Sequence, residues 1–137
     1  MRLFLDLNVV LDVLARRDPW FEHSSAVLSL VENRGAEGHV AAHTITTLHY
    51  LLSKHIGRGP AAAAIVDLLA LVTVDEVGQE TLTRALALGW GDLEDAVQAI
   101  CALRIGADYL VTRDPRGFAD LSLAVVSPSE LVALLSA

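Results

Sequence analysis

Residues 2–15 of the chain read RLFLDLNVVLDVLA and contain two elements in direct succession. The apolar run Arg2–Leu5 is short and ends at Asp6, which is typical of a strand buried on both faces. Residues 8–15 then place apolar side chains at helical spacing, and Asp18-Pro19 ends the pattern. A buried strand that passes directly into a helix is typical of an α/β protein.

The same alternation of strands and helices continues to the end of the chain. Further strands are predicted at 39–42, 72–74, 109–112 and 123–126, and further helices at 21–32, 44–55, 61–71, 79–88 and 92–104. A last helix begins at Ser127-Pro128-Ser129-Glu130, a capping box with proline at the first helical position. Such alternation predicts a parallel sheet covered by helices on both faces. No repeat or long linker divides the chain, so residues 1–137 are expected to form one domain.

The composition indicates a folded protein with a large core. Of the 137 residues, 53% are hydrophobic and 20% are charged, which excludes a disordered chain. Mean hydropathy is +0.48, but no apolar run approaches the ~18 residues of a membrane span. Asp6 comes too early for a secretory signal, and the single cysteine, Cys101, fits a reducing compartment. We therefore expect a cytoplasmic protein with no membrane segment.

The charge balance restricts the partners that the chain could bind. Ten basic and 17 acidic residues give a formal net charge of −7. Loose, charge-driven binding to DNA requires a basic face, so this class of function is excluded. A nuclease is compatible with the charge, because carboxylates that hold metal ions themselves add to the acidic count.

Several carboxylates are expected at one edge of the predicted sheet. Asp6 follows the first strand, and Asp114 follows the strand predicted at 109–112. Asp92, Glu94 and Asp95 lie at the start of the helix that precedes that strand. Ligands of open parallel sheets bind at the carboxyl ends of the strands, so these acids are expected to meet there. Clustered carboxylates repel one another, and a divalent cation such as Mg²⁺ or Mn²⁺ would offset that repulsion.

Each of these acids also has an ordinary structural interpretation. Asp92 and Asp6 could cap the helices that follow them, with Asp95 favouring the helix dipole. Asp114 precedes a proline and could initiate a turn, and Glu94 could be a solvated charge. The convergence of separate segments on one edge is what favours the metal site.

Three stretches of the chain resemble motifs of the PIN-domain ribonucleases, and among these the VapC-like toxins of prokaryotic toxin–antitoxin pairs. Residues 5–12, LDLNVVLD, resemble the opening DxNV(L)LD motif of the family. Residues 92–98, DLEDAVQ, resemble its D(F)EDALQ helix start, and residues 106–118, GADYLVTRDPRGF, resemble GADYLVTRDPRDF. The motifs occur in the family's order and at its spacing, so that the resemblance extends over nearly the whole chain.

The resemblance implies a three-layer α/β/α PIN-like fold with a central, mainly parallel sheet of about 4–5 strands. It also implies a Mg²⁺- or Mn²⁺-dependent endoribonuclease, with an RNA substrate, a cognate small antitoxin as partner and a homodimeric state. Asp6, Asp95 and Asp114 match the metal-binding and catalytic acids, and Asn8 and Thr112 match polar residues that support them.

One position departs from the family pattern. Many PIN domains carry a glutamate in the helix that residues 46–50 occupy here, and this stretch contains no acid. Glu94 or Asp92 would then take over that ligand role. The alternative is a catalytically weak PIN domain that acts mainly as a protein- or RNA-binding module.

Other residues have two interpretations that the sequence leaves open. Arg113 and Arg116 flank Asp114 and could bind substrate phosphates, or they could be solvated loop residues. Leu51, Leu52, Ile65 and Leu69 could form a dimer face or ordinary core. Trp20, Phe21 and Trp90 are expected to pack rather than to stack on bases. A phosphoacceptor receiver domain is excluded because the single lysine, Lys54, lies in a helix in mid-chain.

Overall fold

The computed structural model describes residues 1–118 and 122–136, and in that part of the chain it contains one five-stranded sheet and seven α-helices. The strands are β1 (Arg2–Leu5), β2 (Glu37–Ala41), β3 (Thr73–Asp75), β4 (Tyr109–Val111) and β5 (Val125–Val126). The helices are α1 (Leu7–Leu14), α2 (Phe21–Glu32), α3 (Ala42–Ile56), α4 (Arg58–Leu71), α5 (Gln79–Ala87), α6 (Leu93–Arg104) and α7 (Pro128–Ser136). A short 3-10 helix, Pro115–Phe118, follows β4.

All strand pairs in the sheet are parallel, and the strand order is β3-β2-β1-β4-β5. The chain starts in the middle with β1, builds outward through β2 and β3, and then returns to the other side of β1 with β4. This reversal leaves a crevice between the carboxyl ends of β1 and β4, where ligands of such sheets bind. At that point the amide of Asp6 donates a hydrogen bond of 3.0 Å to the carbonyl of Val111.

The two faces of the sheet are covered by different helices because side chains alternate along each strand. Leu3 and Leu5 belong to a core shared with α1, α2, α3, α4 and α7. Phe4 points to the opposite core, which it shares with α5 and α6. The expected three-layer α/β/α fold with a parallel sheet is therefore confirmed.

The observed strand ends differ from those predicted from the sequence. β2 begins two residues earlier, at Glu37, and β3 lies one residue later than predicted. β5 contains two residues instead of four, and Leu123 lies in a bend. The length of β5 is set by its pairing with Leu110 and Val111 rather than by its own apolar run.

Most of the residues suggested for a dimer face belong to the core. Leu52 is fully buried, and Ile65 is 8% exposed. Leu51 packs against the same core, whereas Leu69 is 47% exposed on α4. The sequence could not separate these residues because α3 and α4 carry apolar side chains around much of their circumference.

Throughout residues 1–118 and 122–136, no helix combines the length and the apolar character needed to cross a membrane.

We predict that truncating a core side chain of α3 destabilises the whole domain. Leu48 is fully buried, so Leu48→Ala should lower the free energy of unfolding by about 2–5 kcal/mol. Leu134→Ala, on the exposed side of α7, is the matched control and should change it by less than about 0.5 kcal/mol. Urea denaturation followed by circular dichroism measures both, and equal midpoints for the two variants would contradict the assigned core.

Candidate functional site

An open cleft of about 480 Å³ lies at the carboxyl ends of β1 and β4. Its lining combines the acids of three separate segments with neighbouring polar, basic and aromatic residues. These residues are Asp6, Asn8, Trp20, Asp92, Asp95, Thr112, Arg113, Asp114, Arg116, Gly117 and Phe118. Every site residue predicted from the sequence except Glu94 lines this cleft.

Asp6 is held in one orientation by hydrogen bonds to both carboxylate oxygens. Gln98 of α6 donates to Oδ1 at 2.9 Å, and Thr112, which follows β4, donates to Oδ2 at 2.8 Å. The side chain is nearly buried, since Asp6 is 7% exposed. Two donors from distant parts of the chain therefore keep the carboxylate of Asp6 in place in the cleft.

Asp92 and Asp95 lie at the first turn of α6. Asp92 caps the helix, because its Oδ1 accepts a hydrogen bond of 3.0 Å from the amide of Asp95. Burial, followed in order of effect by the carboxylates of Asp92, Asp6, Glu94 and Asp114, raises the pKa of Asp95 to about 7. Negative charge is therefore concentrated around Asp95 without full compensation by the protein.

Asp114 lies at the mouth of the cleft. Its amide donates a hydrogen bond of 3.2 Å to Thr112 Oγ1, so the hydroxyl that binds Asp6 also fixes the backbone at Asp114. The Asp114 carboxylate is mostly exposed and lies 3.5 Å from the Nε of Arg116, which is exposed as well. Solvent screening makes this ion pair weak, which leaves both side chains free to meet a ligand.

Two predicted residues make contacts other than those expected. Glu94 does not line the cleft; its Oε1 accepts a hydrogen bond of 3.5 Å from Thr47 of α3. Thr47 belongs to the stretch where the family's helix glutamate is missing, so Glu94 approaches that helix from α6. Asn8 lines the cleft, but its Oδ1 accepts from Arg17 at 3.4 Å, and among the described residues it makes no hydrogen bond to an acid.

A buried ion-pair network borders the cleft and was not predicted. Asp12 of α1 is fully buried; its Oδ1 accepts from Arg17 at 2.9 Å, and its Oδ2 lies 3.0 Å from the Nε of Arg113. Burial raises the pKa of Asp12, and the two guanidinium groups oppose that shift. The guanidinium of Arg113 also lies 3.8 Å from the ring centroid of Trp20. Arg113 is thus fixed beside the cleft and is not a freely solvated loop residue.

The signals for Gln98 and Asp12 were present in the sequence. Each is a polar residue on an otherwise apolar helix face, and each lies in a stretch that resembles a PIN-domain motif. Buried polar side chains need partners, so polar residues at such positions indicate a hydrogen-bond or ion-pair network. Trp90, by contrast, packs edge-to-face against Phe118 with ring centroids 5.8 Å apart, as expected for a packing residue.

The donor chemistry of the cleft suits a hydrated divalent cation. Within residues 1–118 and 122–136, no three His, Cys, Asp or Glu side chains converge closely enough to hold one metal ion. Mg²⁺ is usually bound by one or two carboxylates and keeps several waters, so such convergence is not required. The buried carboxylate of Asp6 and the crowded carboxylate of Asp95 supply hard oxygen ligands and an excess of negative charge.

The family of the chain follows from a comparison with protein-family models. Residues 2–116 match the PIN domain model, which includes β1 to β4 and every residue of the cleft except Gly117 and Phe118. The chain belongs to the PIN-domain family. No curated protein sequence matches the chain at a significant level.

Solved PIN-like structures share the fold at low sequence identity. VapBC2 from Rickettsia felis, bound to a DNA fragment from its promoter, is 15% identical with a TM-score of 0.70, covering 93% of this chain and 98% of that one. A toxin–antitoxin complex from Klebsiella pneumoniae is 19% identical with a TM-score of 0.69, covering 92% and 97%. VapC20 from Mycobacterium tuberculosis, a sarcin-ricin loop cleaving toxin, is 16% identical with a TM-score of 0.70, covering 85% and 93%.

We predict a pH-dependent effect of replacing Asp95 in metal-free protein. The pKa of this carboxyl is raised in the fold, so its ionisation costs the wild type stability as pH rises from about 4 to about 7. Asp95→Asn does not ionise and should gain melting temperature relative to the wild type across that range. Asp67→Asn, an exposed and equivalent change on α4, is the control. A difference between Asp95→Asn and wild type that stays constant with pH would contradict the assigned shift.

Proposed function

We propose that this PIN domain is a Mg²⁺- or Mn²⁺-dependent endoribonuclease and the toxin of a toxin–antitoxin pair. The observation that carries the proposal is one cleft lined by Asp6, Asp95 and Asp114, which belong to three segments of the chain. The raised pKa of Asp95 supports it, because the protein leaves this carboxylate short of compensating positive charge. A cation at this position would offset the repulsion.

We assign Asp6 and Asp95 to hold the cation, and Asp114, at the mouth of the cleft, to contact the waters that such a cation keeps. Gln98 and Thr112 fix the orientation of Asp6, and Asp92 fixes the first turn of α6 on which Asp95 lies. A divalent cation bound there supplies the charge that activates a water and stabilises the leaving oxygen of a phosphodiester. No side-chain nucleophile is then required.

Arg116 is positioned to meet the substrate before cleavage. Its side chain is 95% exposed at the mouth of the cleft, and its pairing with Asp114 is weak. A guanidinium in this position binds phosphate oxygens through paired hydrogen bonds. Arg113 is held by Asp12 at its Nε, so it borders the substrate path in a fixed orientation.

The solved structures with this fold support the biological part of the proposal. The Klebsiella pneumoniae structure is a toxin–antitoxin complex, and the Mycobacterium tuberculosis protein is a sarcin-ricin loop cleaving toxin. We accordingly propose RNA as the substrate, a small antitoxin protein as the partner, a homodimer as the working form and the cytoplasm as the compartment. Exposed apolar side chains on α3 and α4, such as Tyr50, Val66 and Leu69, are candidates for the dimer contact.

A cleavage assay tests the nuclease. Wild-type protein with Mg²⁺ or Mn²⁺ should cleave RNA, and EDTA should abolish the activity. Asp6→Asn and Asp95→Asn should each lower the activity by more than ~100-fold. The loss of a residue that only supports a metal ligand already costs up to about that factor, and the loss of a ligand itself should cost more. Asp67→Asn on α4 keeps the net charge of these variants and should cleave like the wild type. Activity that survives both cleft substitutions would refute the proposal.

Titration calorimetry with Mn²⁺ separates the nuclease from a PIN domain that only binds partners. The nuclease requires binding in the millimolar range or tighter, with affinity lost in Asp95→Asn. Absence of binding to folded wild-type protein would favour the binding module, to which the missing helix glutamate also points.

The toxin assignment predicts a protein inhibitor encoded beside this chain. Co-expression of the neighbouring small open reading frame should yield a stable complex in which RNA cleavage is suppressed. Separation of the two proteins under denaturing conditions, followed by refolding of this chain alone, should restore cleavage. A genomic neighbourhood without such a reading frame would count against the pair.

A further inference from the structure

A second cleft adjoins the carboxylate cleft and shares two of its residues. It has a volume of about 390 Å³, within the range of small-ligand sites, and Trp20 and Arg113 line both clefts. The stacked pair therefore forms the wall between them. The far side of the second cleft is formed by Ser24 of α2 and by the start of α7, including Ser127 and Glu130.

Trp20 is an exposed aromatic side chain held in place from one side. It is 42% exposed, although its ring lies only 3.8 Å from the guanidinium of Arg113. Arg113 is itself fixed by the fully buried carboxylate of Asp12, 3.0 Å from its Nε. Because the ring is already held in place and is still accessible, a base can stack on it with little loss of side-chain conformational entropy.

The second cleft also contains an unsatisfied polar group. Ser24 is fully buried, and its hydroxyl has no hydrogen-bond partner among the described residues. Because Ser24 exposes no surface, a ligand in the cleft cannot reach this hydroxyl. The accessible hydroxyl of the lining is that of Ser129, which is exposed and pairs with that of Ser127.

Charge selects the kind of ligand. Arg113 and Glu130 line the cleft with opposite charges, so it has no excess of positive charge for a phosphate, whereas an uncharged heterocycle with donor and acceptor edges matches the hydroxyl of Ser129 and the indole face. The chain carries a net charge of −7, so its electrostatic affinity for RNA phosphates is low. Stacking of a base on an aromatic ring supplies affinity that does not depend on charge.

We propose that the second cleft is a nucleobase subsite, in which a base adjoining the scissile phosphate stacks on Trp20 beside the exposed hydroxyl of Ser129. The proposal rests on RNA being the ligand of the carboxylate cleft. Trp20 then contributes to substrate affinity, whereas the acids of the carboxylate cleft perform the chemistry.

Binding in EDTA tests the subsite without cleavage. Fluorescein-labelled hexaadenylate RNA is titrated against wild type, Trp20→Ala and Trp20→Phe, and anisotropy reports the Kd. Loss of one stacking contact should weaken binding at least fivefold in Trp20→Ala, and Trp20→Phe should stay within about twofold of wild type. A hexamer of abasic ribose phosphates carries the same charge and should bind all three proteins equally weakly.

Fluorescence of Trp20 gives a second readout. The chain has two tryptophans, so Trp90→Phe leaves Trp20 as the single reporter. Hexaadenylate should quench its emission and the abasic hexamer should not. Equal affinity of wild type and Trp20→Ala for hexaadenylate, or equal quenching by the abasic hexamer, would overturn the subsite. Base-dependent quenching without any metal-dependent cleavage would instead refute the nuclease and keep the subsite.

Discussion

The carboxylate of Asp6 is the point on which the arrangement of the cleft depends. It follows β1, accepts one hydrogen bond from α6 through Gln98, and accepts another from the end of β4 through Thr112. β1 is far from α6 and β4 in sequence, α6 lies in a different layer from the two strands, and Asp6 joins all three at the crevice between β1 and β4. The order of the strands places the acid there, and the two donors hold it in one orientation.

Acidic and basic side chains lie on different sides of the cleft. The acids lie toward α6, where burial and mutual repulsion raise the pKa of Asp95. Arg17 and Arg113 lie toward α1, where both pair with the single buried carboxylate of Asp12. Neither guanidinium is among the groups that shift the pKa of Asp95. The separation keeps the acidic side available for an external cation.

Local patterns were sufficient for the architecture but not for the contacts between elements. The alternation of apolar runs and helical spacing predicted the layers, and the rule for strand ends brought Asp6 and Asp114 to one edge. Gln98 and Asp6 are separated by 92 residues, and their pairing depends on how α6 is rotated against the sheet. The same limit applies to Trp20, since only the folded chain brings Arg113 over its ring. Glu94 lies in a motif that predicted a site residue, but the motif did not determine the direction of its side chain, which contacts Thr47 and does not line the cleft.

The lengths of the outer strands bear on how the protein behaves at high concentration. The sheet ends at β3 with three residues and at β5 with two, while the longer strands lie inside. An edge strand exposes amide and carbonyl groups that can pair with strands of other molecules, and a long, flat edge strand promotes fibre formation. Edge strands of two and three residues have few free backbone groups for such pairing. Their short length therefore disfavours the addition of strands from other molecules.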